Sequence, residues 1–232
     1  MYTVNTGIGW VNRLQKRLDI STAIYGRPNY HHGDLRQALL TAGIELASQG
    51  GPDAVVLREA TRQVGVSPNA AYRHFADRDA LLAAVSDAAL AMLATRIDEI
   101  FEQIPHGDAD TVGRAQLRAV GTGYVAFACD NPGLFHTAFF VPPDLESSSA
   151  PPRVGASGRS PLDLLTAALD QLVVSGAMPP ERRPQAEFLA WSAMHGFALL
   201  LIDGPLRALP RVQADAVTQR LIDMVETGFT CS

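Results

Sequence analysis

Four side chains that lie close together in the sequence can form hydrogen bonds with a partner outside the protein. They are Asn69, Tyr72, Arg73 and His74. An amide, a phenol, a guanidinium and an imidazole can all contact phosphate oxygens or the edges of nucleic acid bases. The elements that hold these four residues therefore decide what they can bind.

The surrounding residues predict two short helices joined by a tight turn. Leu57–Val64 is a helical run, and Gly65 follows it, because glycine tolerates the left-handed conformation of a helix end. Ser67 is a good N-cap, and Pro68 suits the first position of a second helix that runs to Phe75. Two short helices joined by a turn of about three or four residues form a helix-turn-helix, whose second helix lies in the DNA major groove.

The distribution of charge agrees with a nucleic acid partner at this end of the chain. The net charge is −5, but residues 1–80 carry nine basic and seven acidic side chains, a net of +2, and the remainder carries a net of −7. The basic surplus accompanies the helix-turn-helix, as expected for a local phosphate-binding face on an otherwise acidic protein.

Composition narrows the class of protein. The 232 residues can bury a sizeable core, and 47% of them are apolar, which excludes a disordered chain. No apolar run reaches the roughly 18 residues of a transmembrane helix, and the N-terminus lacks a signal-peptide core. Cys129 and Cys231 form neither a metal spacing nor a disulfide framework. We expect a cytoplasmic protein with no membrane partner, metal or cofactor.

Helical periodicity extends through the rest of the chain, with no confident strand and no internal repeat. A loop rich in Pro, Gly and Ser, at Val141–Ser160, is predicted to be mobile. The predicted helices are Asp34–Ser48, a long one from Ala76–Asp79 to Pro105, Thr111–Asp130, Leu134–Phe140, Pro161–Gly176, Glu181–Asp203 and Val212–Gly228. Together with the helix-turn-helix they predict an all-α fold.

The first residues have little pattern. Residues 1–26 are interpreted as a flexible extension or an incorrectly assigned start, or alternatively as a basic arm that supplements DNA binding. In the loop that follows, His31 and His32 lack a third ligand, so phosphate contact at the start of the first helix is favoured over a metal site.

A helix near the C-terminus is predicted to form an interface with a second copy. Phe188–Ile202 contains no charge and is too short to span a bilayer, so it should be buried on every side. A homodimer through Glu181–Asp203 and Val212–Gly228 would satisfy this requirement, since a two-fold interface pairs one surface with itself.

Aromatic residues between these elements suggest a cavity. Each one alone is more often plain core, but together, with few polar groups among them, they suit an apolar ligand cavity. His195 is either a hydrogen-bonding ligand contact or a packing histidine bonded to a carbonyl. The sequence has no HExxH, no GxSxG, no metal spacing and no paired carboxylates placed by a motif, so we do not expect an enzyme. The candidate ligand-binding residues are Phe101, Tyr124, Phe127, Phe135, Phe139, Trp191 and His195.

The segment from Arg27 to Leu82 resembles the TetR/AcrR family of transcriptional regulators, mainly through LREATRQVGVSPNAAYRHFADRDALL, Leu57–Leu82. Two further features are similar to one class of that family: Tyr30–Arg36 before the first helix, and Trp191 followed by His195 and Gly196. The resemblance implies a three-helix DNA-binding domain at 27–80, and a six-helix ligand-binding and dimerisation domain at 81–232.

The resemblance also implies roles for individual residues. Tyr72 and His74 would contact mostly phosphates, Arg58 the DNA backbone or a base edge, and Arg78, in a place usually held by lysine, a phosphate. Val56 stands where such proteins often have Ser or Thr, which removes one cap or phosphate contact. Ala70 is small enough to contact thymine methyl groups. The predicted DNA-binding residues are Tyr30, His31, Arg58, Ser67, Asn69, Ala70, Tyr72, Arg73, His74 and Arg78.

The function implied is a repressor that binds double-stranded operator DNA. A small apolar or aromatic effector in the C-terminal domain would favour a tilt of the fourth helix. The two recognition helices would then no longer match successive grooves, roughly 34 Å apart. The alternative is a ligand-independent regulator, a regulator controlled by a protein partner, or an activator.

Overall fold

The computed structural model describes residues 32–140 and 153–230. Tyr30, His31, the extension at 1–26 and most of the loop predicted at Val141–Ser160 lie outside these residues. Within them the chain is helical without strands, which confirms the predicted all-α fold. The helices are α1 (His32–Ala54), α2 (Leu57–Val64), α3 (Pro68–Ala71), α4 (Arg78–Phe101), α5 (Ala109–Asp130), α6 (Pro132–Phe140), α7 (Pro161–Val174), α8 (Ala186–Ile202) and α9 (Arg211–Thr230), with a 3-10 turn at Pro180–Arg182.

Helix α1 is longer than its sequence pattern indicates. It begins at His32 rather than at Asp34 and continues to Ala54, although Gly50 and Gly51 are not helical. Gly51 has a φ of 69°, which glycine adopts without strain. Pro52 directly after it is tolerated because it lies in the first turn of the resumed helix. The helix end predicted near Ser48 is therefore a kink at Gly50 and Gly51 within α1.

Two other predicted boundaries are wrong. Helix α3 ends at Ala71, and the chain turns before Phe75, which is 2% exposed and packs in the core. The predicted helix Glu181–Asp203 begins only at Ala186, after Gln185 with a φ of 62°. Pro184 explains the second break, because it has no N–H to donate and restricts the residue before it.

Helix α4 is the longest helix through the core. Its residues Leu81, Val85 and Leu93 are fully buried, and it packs against α5, α6 and α7. By length and composition alone α4 could cross a membrane, but half of its apolar window is buried. Core helices share that composition.

Two contacts join α1 to the elements beyond the helix-turn-helix. The Arg78 guanidinium at the start of α4 donates from Nε to the Val55 carbonyl (2.9 Å) and from Nη2 to the Pro52 carbonyl (2.8 Å). At the start of α6, Gly133 lies directly against the Ala47 carbonyl oxygen. Leu35–Ser232 form one compact unit, and the boundary predicted near residue 80 falls inside α4.

We predict that Gly133→Ala lowers the thermal unfolding midpoint. A Cβ there would overlap the Ala47 carbonyl oxygen and lie 3.1 Å from that of Ser48, so backbone must move. A loss of about 1–3 kcal/mol is typical of such overpacking. Gly107→Ala is the matched control, because its Cβ would approach nothing closer than 3.7 Å. Equal midpoints for the two variants in a calorimetric scan would contradict the described contact.

Candidate DNA-binding surface and ligand cavity

The turn between α2 and α3 has the predicted geometry. Gly65 is left-handed, with φ 76° and ψ 29°, and caps α2 by donating to the carbonyls of Arg62 and Thr61. Pro68 lies in the first turn of α3, and Ser67 occupies the N-cap position without a side-chain cap bond. Val56 precedes α2 and likewise supplies no cap, because its side chain has no hydrogen-bond acceptor.

One side of this motif is fixed by the core. Leu57, Ala60 and Ala71 are buried, and the Arg36 guanidinium lies 5.0 Å from the centre of the Phe75 ring. This packing sets the orientation of both helices. The polar residues on the other side are therefore held by a rigid base.

Most of the predicted DNA-binding residues are at least partly exposed around this buried base, and we term them the recognition surface. Tyr72 is 55% exposed, and the other members range from half-buried to exposed. The recognition surface consists of Arg58, Ser67, Asn69, Ala70, Tyr72, Arg73 and His74. The contacts of its single members with DNA stay predictions.

Arg78 has a structural role that the sequence did not indicate. Its side chain is 37% exposed and lies 3.6 Å from the Asp79 carboxylate besides its bonds to Val55 and Pro52. Those carbonyls occupy Nε and one Nη2 hydrogen, and Nη1 is the nitrogen that faces Asp79. A phosphate at this guanidinium would have to share Nη1 with that carboxylate. The predicted phosphate contact is compatible with this arrangement and stays a prediction.

A cavity of about 170 Å³ lies among the helices that follow. Three of the predicted ligand-binding residues, Tyr124, Phe139 and Trp191, line it. None of its lining side chains is charged, and residues 32–140 and 153–230 contain no group of His, Cys, Asp and Glu that could hold a metal. The lining is Leu90, Leu117, Val120, Gly121, Tyr124, Phe139, Ser160, Pro161, Leu162, Leu165, Ala190, Trp191, Met194, Ile222 and Val225.

The other four predicted ligand-binding residues are not in this lining. Phe127 and Phe135 are buried in the core. Phe101 is half-buried beneath the Arg159 guanidinium, 5.6 Å from the ring centre. His195 is half-buried and stacks on Phe135 at 5.4 Å. Most lining residues are aliphatic and escaped prediction, although Leu117, Val120, Gly121 and Tyr124 recur at helical spacing along α5.

A chain of two hydrogen bonds connects the polar groups beside the cavity. Trp191 Nε1 donates to the Tyr124 hydroxyl (2.9 Å), which is 2.7 Å from His195 Nδ1. Indole nitrogen can only donate, so the Tyr124 oxygen accepts from Trp191. The Tyr124 hydroxyl hydrogen then has an acceptor only if it is donated to Nδ1. His195 is then neutral and carries its proton on Nε2.

Burial favours the neutral forms of Tyr124 and His195, the two titratable groups in this chain of hydrogen bonds. It raises the pKa of Tyr124 well above its usual range, against the opposing effect of the bond from Trp191. Burial also lowers the pKa of His195, and nearby His136 lowers it further. The two bonds are therefore complete at neutral pH.

Ion pairs hold the wall formed by α9 against α5. Arg114 Nη1 lies 2.7 Å from Glu226, whose side chain is 10% exposed, and Arg118 lies 2.9 Å from the same carboxylate and 2.6 Å from Asp223. A buried carboxylate needs such partners. They fix the helix that supplies Ile222 and Val225 to the cavity.

Comparison with known proteins identifies both halves of this arrangement. A family model described as bacterial regulatory proteins, tetR family, matches residues 39–85, and one described as the Tetracyclin repressor-like C-terminal domain matches residues 117–225. The chain belongs to the TetR family of transcriptional regulators. The recognition surface lies within the first match, and most of the cavity lies within the second.

Similar proteins agree with this assignment. Nucleoid occlusion factor SlmA of Vibrio cholerae serotype O1 is 34% identical over 100 residues, 43% of this chain and 48% of that protein, so the match spans about half of SlmA. A structure of unknown function from Rhodococcus sp. RHA1 has a TM-score of 0.66 and 25% identity over 88% of this chain and 100% of its own. A tetR-family regulatory protein from Rhodococcus RHA1, with a TM-score of 0.56 and 17% identity over 85% of this chain and 98% of its own, shares the fold.

We predict that acidification destabilises this regulator through His195. Folding lowers the pKa of His195 below its ordinary value of 6.5, so the stability it contributes is present above that value. This contribution is lost as the pH falls through the lowered folded pKa. His195→Asn keeps an acceptor for Tyr124 without titrating. The fall in unfolding midpoint between about pH 7.5 and pH 5.5 should therefore be smaller in this variant.

His106→Asn, in the exposed loop between α4 and α5, is the control and should keep the wild-type pH dependence. Identical pH profiles for His195→Asn and the wild type would contradict the role assigned to His195.

Proposed function

We propose that this TetR-family regulator is a cytoplasmic repressor whose binding to operator DNA is released by a small apolar molecule in the cavity. The observation that carries the proposal is the position of α4. Leu90 of α4 lines the cavity, and Arg78 at the start of the same helix is bonded to the carbonyls beside the helix-turn-helix.

Helix α4 can act as a lever between these two points. Twelve residues separate Arg78 from Leu90, which corresponds to about 18 Å along a helix axis. A ligand that displaces Leu90 would tilt the helix, and the Arg78 bonds would carry that tilt to the recognition surface. The effector then favours the state in which paired recognition surfaces no longer match grooves roughly 34 Å apart.

A polar segment at residues 153–159, here called the strap, supports the same lever. Arg153 Nε lies 2.6 Å from Asp87 Oδ1, and the Ser157 N–H donates to the buried Asp98 at 3.1 Å. Both carboxylates belong to α4, on either side of Leu90. The strap leads directly into Ser160, which lines the cavity, so displacement of that wall would also move α4.

Helix α6 offers a second connection. Phe139 lines the cavity, the Ala138 carbonyl accepts from the Ser86 hydroxyl of α4 (3.1 Å), and Gly133 at the other end of α6 lies against α1. The connections through α4 and α6 support the proposed domains, in which residues 27–80 bind DNA and residues 81–232 bind the effector and a second copy.

Exposed apolar residues on the last two helices support a homodimer. Leu189 is 65% exposed and Leu200 43% on α8, and Met224 is 62% exposed on α9. Gly196, also exposed, has no atom within 4 Å of a Cβ built on it, which leaves room for another helix. We propose that a second copy covers this face and pairs the recognition surfaces.

Retention of genomic DNA tests the proposed function. Fragments bound by the full chain would be recovered, sequenced and used in gel shifts with a metabolite panel. A retained upstream fragment that a metabolite releases supports the proposal. Retention unaffected by any metabolite would favour a ligand-independent regulator, and no retention at low salt would overturn DNA binding itself.

We predict that Arg73→Ala weakens operator binding roughly equally across sequences and lowers the salt dependence by about one phosphate contact. Arg73 is exposed on the recognition surface. Arg96→Ala is the matched control, because Arg96 lies far along α4 and pairs with Glu99. Fluorescence anisotropy at several salt concentrations measures the operator affinity of both variants. If the logarithm of affinity falls with the logarithm of salt concentration equally steeply in both, Arg73 does not contact the DNA.

We predict that Leu189→Glu converts the dimer into monomers and weakens operator binding, because a buried unpaired carboxylate disfavours the interface. Val174→Glu is the control, since Val174 is 78% exposed at the end of α7, outside the proposed interface. Sedimentation velocity measures the mass of each variant. A dimeric Leu189→Glu protein would place the interface elsewhere.

A further inference from the structure

The cavity has few groups that could recognise a polar atom of a ligand. Among its lining residues only Ser160, Tyr124 and Trp191 carry side-chain N–H or O–H groups, and none is charged. The chemistry of these three groups, and the bonds they already make, therefore determines which polar atom can enter.

Trp191 and Tyr124 have already used their hydrogens. The Trp191 N–H is donated to Tyr124, and with the His195 proton on Nε2 the Tyr124 hydroxyl is donated to Nδ1, 2.7 Å away. A phenol oxygen has two lone pairs, and the bond from Trp191 occupies one. What Tyr124 can still offer is a single acceptor position.

Ser160 can offer a donor rather than an acceptor. Its Oγ accepts the Asp163 N–H (3.1 Å), and the Asp163 carboxylate accepts the Ser160 N–H (2.8 Å), which together cap α7. The Ser160 hydroxyl hydrogen is therefore the donor that this residue can turn toward a ligand. A ligand group that both donates and accepts suits Tyr124 and Ser160 alike.

We infer that the cavity binds an uncharged molecule of about one aromatic ring that carries a hydroxyl group, with Tyr124 Oη accepting the hydroxyl hydrogen. The effector role of this molecule rests on the proposed function, whereas its binding does not.

Size and charge set the limits of this class. The cavity of about 170 Å³ is slightly larger than an apolar cavity of about 150 Å³ that holds benzene. A carboxylate or an ammonium would lose its hydration without meeting an opposite charge in the lining. Phenol is thus a suitable probe. Toluene tests the hydroxyl, and benzoate tests the charge.

Titration calorimetry of the full chain without DNA tests the inference. We expect phenol to bind, toluene to bind roughly fivefold more weakly, because one neutral hydrogen bond is worth about that ratio, and benzoate not to bind. Toluene as tight as phenol, binding of benzoate, or no binding of phenol would each overturn the inference.

Tyr124→Phe removes the acceptor while keeping the ring. In this variant phenol should lose its advantage and bind like toluene, and toluene binding serves as the internal control that the cavity is intact. An unchanged phenol advantage would overturn the role of Tyr124. If the variant binds neither probe, the wild-type comparison of the three probes still decides the ligand class.

The two proposals fail separately. Phenol binding with no effect on operator retention would contradict release of DNA but leave the ligand class standing. Release of the operator by a charged metabolite, with no binding of phenol, would support release of DNA by an effector but contradict the ligand class.

Discussion

The structure depends on one constraint, which is that a single helix, α4, has to satisfy contacts both at its start and along its middle. The start of α4 is bonded through Arg78 to the Val55 and Pro52 carbonyls. One face of its middle, which includes Val85 and Leu93, is fully buried, and the helix packs against α5, α6 and α7. A packed interior changes between discrete arrangements rather than deforming continuously. In the proposed function α4 holds one of two positions, and the recognition surface and the cavity wall both follow it.

The cavity meets α4 at Leu90, between the strap contacts at Asp87 and Asp98. These contacts are polar and partly buried, so they are less screened by solvent than fully exposed surface pairs would be. Beside the cavity, the hydrogen bonds from Trp191 through Tyr124 to His195 leave few donors and acceptors without a partner. The same chain explains both the apolar character of the cavity and the narrow polar chemistry it can still offer.

Sequence reasoning succeeded where the local conformation is decided by single residues. Gly65 predicted the end of α2 because its φ of 76° is one that glycine adopts freely. It failed where the deciding contact is distant: Arg78 bonds to carbonyls 23 and 26 positions away, and Tyr124 meets His195 across 71. The aromatic residues predicted a hollow domain, but only helix rotation decides that Tyr124 faces the cavity while Phe127 faces the core. Pro184 was a visible signal for the late start of α8.

The most direct test of the central claim needs no ligand. Ala190 lines the cavity and is 3% exposed, so Ala190→Phe would fill the space that an effector is proposed to occupy. Operator affinity of this variant, measured by fluorescence anisotropy on a dimer of wild-type mass, should fall, as proposed for a bound effector. A folded, dimeric Ala190→Phe protein that binds the operator with unchanged affinity would contradict coupling between the cavity and the recognition surface.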